Sequence, residues 1–237
     1  MRALAGSELL SLWERGSNRH ALDRSVLLAA AARPDWPAEA IADLPLGAVN
    51  ASLLQLRAAC FGPLIEGHAD CPRCGQRLAF ALDARELLGP ACDDDDLAVC
   101  ELEIAGLRLR APSLRDLAAV ASDADAERAA RQLLARCTVA GDAARLDVAA
   151  LRAVEEGLDA LDPQADLALS VRCVACGHAD LVQLDAGRLL WEEIEARALL
   201  LLREVHQLAG AYGWSEAQIL ALTPARRASY LAMAGPA

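Results

Sequence analysis

Apolar residues recur at helical spacing through the first 62 positions of the chain. Leu9, Leu10, Leu12 and Trp13 mark a short helix that Gly16 should stop. A second helix is predicted from about 18 to 32, ended by Arg33-Pro34-Asp35-Trp36-Pro37. A third, from about 49 to 60, turns Leu53, Leu54 and Leu56 inward ahead of Gly62-Pro63. Cys60 stands alone on that apolar run and reads as a core thiol. Leu78 to Leu82 reads as a short strand, Ala84 to Leu88 as a helical turn, and 89–96 as a loop. The run Asp93-Asp94-Asp95-Asp96 lacks the alternating ligands and the glycine of a calcium loop.

The pattern then changes period from helical to alternating. From Val99 to Ala111, apolar and charged residues alternate as in a hairpin turning at Ala105-Gly106. In that register Ile104 faces Leu107 and Leu102 faces Leu109, while Glu103 faces Arg108 and Glu101 faces Arg110. Cys100 falls on the apolar face. Ser113 to Asp116 resembles a capping box opening a helix near Leu114. Further helices are expected from about 124 to 137, with Leu133 and Leu134 buried, and from about 148 to 161. Leu167, Leu169 and Val171 alternate as a strand.

Two Cys-x-x-Cys-Gly motifs interrupt this pattern, Cys71-Pro72-Arg73-Cys74-Gly75 and Cys173-Val174-Ala175-Cys176-Gly177. Each offers two thiolates across a tight turn, half of a tetrahedral metal site. A glycine after the second cysteine suits a backbone at positive φ. The surroundings repeat as well. Leu82-Asp83-Ala84 and Leu87-Leu88 correspond to Leu184-Asp185-Ala186 and Leu189-Leu190, with Asp83 and Asp185 placed as helix N-caps. Two such hairpins facing one ion form a zinc ribbon, here split by a largely helical insertion from about 89 to 166. Cys71, Cys74, Cys173 and Cys176 are therefore the expected ligands of a structural Zn2+ with no position left for substrate. His68 and His178 lie beside the motifs and are the rival ligands. Cys92, Cys100 and Cys137 lack ligand spacing. A redox role would need one Cys-x-x-Cys pair at a helix start rather than two on hairpins.

Composition narrows the function. The chain has 237 residues, 55% hydrophobic, with a net charge of −11 and 23 basic residues that are all Arg. Mean hydropathy is +0.22 and aromatics are scarce at 3%, so a packed, helix-rich chain is expected. The acidic balance argues against nucleic acid as a main partner. No signal peptide and no uninterrupted apolar run of about 18 residues is visible, so no membrane span is expected. Cysteine pairs in such a chain point to intracellular metal binding rather than disulfides, hence to the cytoplasm.

The C-terminal segment carries the last signal. Residues from about 188 to 209 form the longest helix candidate, striped by Trp191, Ile194, Leu201, Val205 and Leu208 and interrupted at Gly210. Ser215 to Gln218 is a capping box, and Thr223-Pro224 opens a final helix. Tyr212, Trp214 and Tyr230 concentrate aromatics as a small core or as a partner-docking patch, with Arg226 and Arg227 as its basic edge. His206 has no acid or nucleophile spaced around it and reads as a packed or capping side chain.

Val205-His206-Gln207-Leu208-Ala209, Tyr212-Gly213-Trp214-Ser215-Glu216, Ile219 to Leu222, Arg226-Arg227 and Tyr230-Leu231 together resemble the end of a phage-tail family. So do Asp162-Pro163-Gln164-Ala165-Asp166-Leu167 leading into the second motif with His178, and Leu12-Trp13-Glu14-Arg15-Gly16. The chain resembles the baseplate hub assembly chaperones of T-even-like phages and contractile injection systems over nearly its whole length. Val174 stands where such motifs usually carry proline, a departure that leaves ligation intact. The resemblance implies protein–protein contacts with baseplate or hub proteins of a contractile tail-like particle, as an assembly chaperone or a component. It supplies no catalytic residues, and no enzyme is expected.

The expected fold is α+β and helix-rich. A helical region spans 1–65, a zinc-ribbon core with its insertion spans 66–190, and a second helical region spans 191–237. The function expected is non-enzymatic assembly of a contractile baseplate, cytoplasmic or particle-associated. The alternative is a nucleic-acid-binding zinc-ribbon module using Arg73, Arg77, Arg85 and Arg172.

Overall fold

The computed structural model describes residues 2–88 and 101–235. The loop at 89–96, Cys92, Cys100 and the first two residues of the expected hairpin lie outside the described residues. Three helices open the chain: α1 (Gly6–Gly16), α2 (Ala21–Ala32) and α3 (Leu46–Phe61). A first hairpin of β1 (Leu64–Asp70) and β2 (Arg77–Asp83) follows, closed by the single turn α4 (Ala84–Leu87). The insertion holds β3 (Glu101–Ile104), β4 (Leu107–Arg110), α5 (Leu114–Val120), α6 (Ala126–Cys137), β5 (Thr138–Ala140) and α7 (Val148–Leu161). A second hairpin of β6 (Ala168–Arg172) and β7 (Ala179–Gln183) leads into α8 (Ala186–Tyr212), α9 (Glu216–Leu220) and α10 (Pro224–Ala234). The fold is α+β and helix-rich, with three small antiparallel sheets among the described residues. Among the described residues no helix is long and apolar enough to cross a membrane.

The main core forms where α8 crosses the N-terminal helices. Leu190, Ile194, Ala198 and Leu201 project at steps of three and four from α8 and are fully buried against Leu9, Leu28, Leu53, Leu54 and Leu56. Each large side chain buried here contributes about 1.5–3 kcal/mol before entropy is charged against it. Asp185 caps the start of α8, accepting from the Arg188 amide at 2.9 Å. The helix does not break at Gly210. It runs on until Gly213, whose φ of +67° lets its amide close onto the Ala209 carbonyl. α1 ends at Gly16 as expected, and the glycine also serves packing: a Cβ there would lie 2.4 Å from the Trp191 ring, so its absence lets α1 approach α8.

In the insertion, β3 and β4 pair in the predicted register, Ile104 with Leu107 and Leu102 with Leu109. Ala105 and Gly106 both take positive φ, +51° and +77°, the two-residue turn that matches strand twist. Leu107, Leu109 and Val154 make a second, small core, against which Leu134 is only half-buried. Leu133 is half-buried too, so the expectation of two buried leucines is corrected: α6 covers too small a core to enclose them. The charges also pair differently from their cross-strand positions. Arg108 reaches Glu101 at 3.6 Å, while Arg110 turns to Asp116 with bonds of 2.6 and 2.9 Å. Asp116 is 1% exposed and also accepts from the Ser113 hydroxyl and from Arg136. Burial raises its pKa, but Arg110 and Ser113 outweigh that and hold it down to about 2.

The insertion leaves and returns at one place. Asp162 accepts from the Gly47 amide at 2.9 Å, capping α3 from across the chain, and burial raises its carboxyl pKa. Asn50 donates to the Gln164 carbonyl at 2.8 Å, and the Gln164 side chain donates to the Leu87 carbonyl at 3.1 Å. Both hairpins are thereby rooted on α3.

Candidate metal centre

Each motif folds into the same turn. The Gly75 amide donates to the Cys71 carbonyl and the Gly177 amide to the Cys173 carbonyl, both at 2.9 Å. The Cys71 amide donates to the Gln76 carbonyl at 2.9 Å, and the Cys173 amide to the His178 carbonyl at 2.8 Å. Gly75 and Gly177 have φ of +70° and +72°, and no atom lies within 4 Å of where a Cβ would stand. Backbone conformation, not space, therefore calls for glycine at both. The repeat in the sequence is a repeat in geometry.

The hairpins beneath the turns differ in length but share one plan. β1 pairs with β2 over seven positions and β6 with β7 over five. Phe80 lies directly across from Gly67, and a Cβ at Gly67 would sit 2.5 Å from the ring. This close approach explains glycine inside β1, a strand the apolar pattern did not announce. Half-buried Ala69, Leu78, Val171 and Val182 from the two hairpins line one narrow gap beside Cys71.

Above that gap the four sulfurs meet. Cys71 Sγ lies 3.8 Å from Cys176 Sγ, Cys74 Sγ lies 3.6 Å from Cys173 Sγ, and all four fall within 4.8 Å of one another. Sulfurs placed about 2.3 Å from a central ion at tetrahedral angles stand about 3.8 Å apart. A disulfide would need about 2.05 Å, and all four cysteines are free. The spacing is that of a cage around one ion. Among the described residues this is the one group of three or more metal-binding side chains so arranged. Neither His68 nor His178 belongs to it. His68 is in β1 rather than in a loop, exposed, with its Nε2 beside the Arg77 guanidinium.

Electrostatics explain what the cage lacks on its own. Amides of Cys176 and Ala175 aimed at Cys173 lower its thiol pKa to about 7. The Gln76 amide favours the Cys74 thiolate, but the neighbouring thiols of Cys176 and Cys173 push Cys74 up to about 12. Four sulfurs this close cannot all carry charge unless a cation sits among them. Cys71 and Cys173 are buried, Cys176 is half-buried and Cys74 is exposed, so the cluster faces solvent on the Cys74 side. The donor set fits a thiophilic ion, and four sulfurs complete a tetrahedral shell.

The remaining sequence-derived residues fall elsewhere. Tyr212 and Trp214 stack at 4.7 Å, Tyr230 meets both edge-on, and the Tyr212 hydroxyl donates to the Tyr230 carbonyl. Tyr212 is exposed and the other two are half-buried. The basic edge must be corrected for Arg227. It is 3% exposed, bonded to Glu204 at 2.8 Å and to the Leu222 carbonyl at 2.7 Å, because it ties α10 down onto α8. Arg226 is exposed. Arg73, Arg77, Arg85 and Arg172 are also exposed, with Arg85 3.7 Å from Asp83. Cys60 is half-buried with the Leu4 amide on its sulfur, and Cys137 is buried, its thiol pushed up to about 11 chiefly by burial.

Comparisons of the chain with protein-family models, with curated proteins and with solved structures find no match.

Proposed function

We propose that this protein is a non-enzymatic assembly chaperone or component of a contractile, phage-tail-like baseplate, held in shape by a structural Zn2+ on Cys71, Cys74, Cys173 and Cys176. The single observation that carries the reading is the closed cage of four sulfurs joining two distant hairpins. Such a cage supplies folding energy, in apparent terms about 10–16 kcal/mol for small cysteine-rich units, and leaves no site for a reacting water or substrate. Activity then resides in surfaces, and the resemblance to baseplate hub assembly chaperones names the partner class. Tyr212, Trp214, Tyr230 and Arg226 form the surface we assign to hub contacts; Arg227 supports it from beneath. Reduced thiols suit action in the cytoplasm or on a particle assembled there.

A nucleic-acid-binding ribbon is the weaker reading. Its exposed arginines sit on a chain of net charge −11, and Phe80, the aromatic between Arg77 and Arg85, is half-buried against Gly67 across the hairpin. Co-purification of the tagged chain with hub and spike proteins of a contractile tail separates the two. Capture that survives nuclease and is lost in Trp214→Ala, whose zinc content stays at wild type, supports the baseplate reading. No hub capture, together with DNA binding that weakens steeply with salt, overturns it.

A further inference from the structure

The outward face of α8 carries a self-complementary pattern that neither the core nor the metal centre uses. Its exposed stripe runs Glu192, Glu195, Ala196, Leu199, Leu200, Arg203, His206. Leu199 and Leu200 are 43% and 47% exposed at the middle of this 27-residue helix. Acidic residues precede the leucine pair and basic or neutral ones follow it.

Glu195 and Arg203 flank Leu199 symmetrically, four residues to either side. They are about 12 Å apart along the axis and cannot meet on their own helix. Residues three and four away from Glu195 are Trp191, Glu192, Ala198 and Leu199; those around Arg203 are Leu199, Leu200, His206 and Gln207. None offers an opposite charge. Neither Glu195 nor Arg203 has an ion-pair partner among the described residues, whereas Glu192 is already bonded to Arg188 at 2.7 Å.

We propose that this face is an interface between two copies of the chain, with two α8 helices packed antiparallel about a two-fold axis at Leu199. In that arrangement the leucines of one copy cover those of the other. Glu195 of each copy stands opposite Arg203 of its mate, so one surface satisfies itself twice. A parallel arrangement would set Glu195 against Glu195 and is disfavoured. The proposal is independent of the baseplate reading and of the ion's identity.

Sedimentation equilibrium of the full, metal-loaded chain over a concentration series tests it. The mass is expected to rise from 25.0 kDa towards twice that value. Leu199→Asp/Leu200→Asp should stay monomeric with an unchanged circular dichroism spectrum. Glu195→Arg alone and Arg203→Glu alone should each weaken association by about tenfold or more. An equimolar mixture of these two single variants should associate as wild type does, because every facing pair is again opposite in charge. A wild-type chain that is monomeric throughout, a dimer indifferent to the leucine changes, or a mixture no tighter than its components each overturns the proposal.

Discussion

The helical core and the paired hairpins are held together by different physics. Around α8, side chains such as Leu28, Leu190 and Ile194 are wholly buried, and contact between helices is continuous. In the four hairpin strands, Ile65 is the only fully buried side chain, and it sits at the root of β1. Between the two hairpins, half-buried Ala69, Leu78, Val171 and Val182 line one narrow gap. A region that buries little needs another source of cohesion, and the convergent sulfurs sit where burial runs out. The lesson is positional: apolar packing fixes the roots of the hairpins, and four cysteines able to hold a metal ion meet at their ends.

The largest expected effect breaks the comparison at its metal side. Cys176→Ser, or chelation of the wild type, should release the ion and leave the hairpin amides of 64–83 and 168–183 exchanging rapidly. The amides of α3 and α8 should stay protected. Hydrogen exchange read by mass spectrometry checks this, and equal loss in both regions would mean that the two are one cooperative unit. Leu28→Ala probes the other side. At 0% exposure it should cost about 2–5 kcal/mol in denaturant unfolding while the bound-metal stoichiometry of the folded protein is unchanged. The smallest effect sharpens the internal repeat. Gly75→Ala and Gly177→Ala should each cost about 1–2 kcal/mol from the positive φ alone, by similar amounts in the two halves, measured as metal affinity in a chelator competition. A variant that costs nothing in one half would show that the turns are not equivalent.

Local rules made much of this legible. The register of β3 and β4 could be read because alternation and Ala105-Gly106 agree on one answer. The caps at Ser113, Asp185, Ser215 and Thr223 were visible for the same reason, since each acts within its own helical turn. The four cysteines that cluster were visible because the motif recurs with its flanking Leu-Asp-Ala. What escaped depends on distant partners. β1 contains Gly67, His68 and Ala69 and becomes a strand by pairing with β2, where Phe80 across from Gly67 leaves no room for a Cβ. Gly210 stays helical because α8 is held along its length by the core and its stop lies three residues on. Arg227 looked like a surface charge beside Arg226, and Glu204, more than twenty residues earlier, draws it inside. Asp162 gave no sign that it would cap a helix begun at Leu46.

The bond from Gln164 to the Leu87 carbonyl has a kinetic consequence. Once the helices have collapsed, that clasp shortens the tether between the two thiol pairs to the hairpins themselves. Each pair then meets the other at the high effective molarity of neighbours on a short leash. Capture of an ion by the four sulfurs would then be the closing step of folding, a latch that drops after the frame has already been raised.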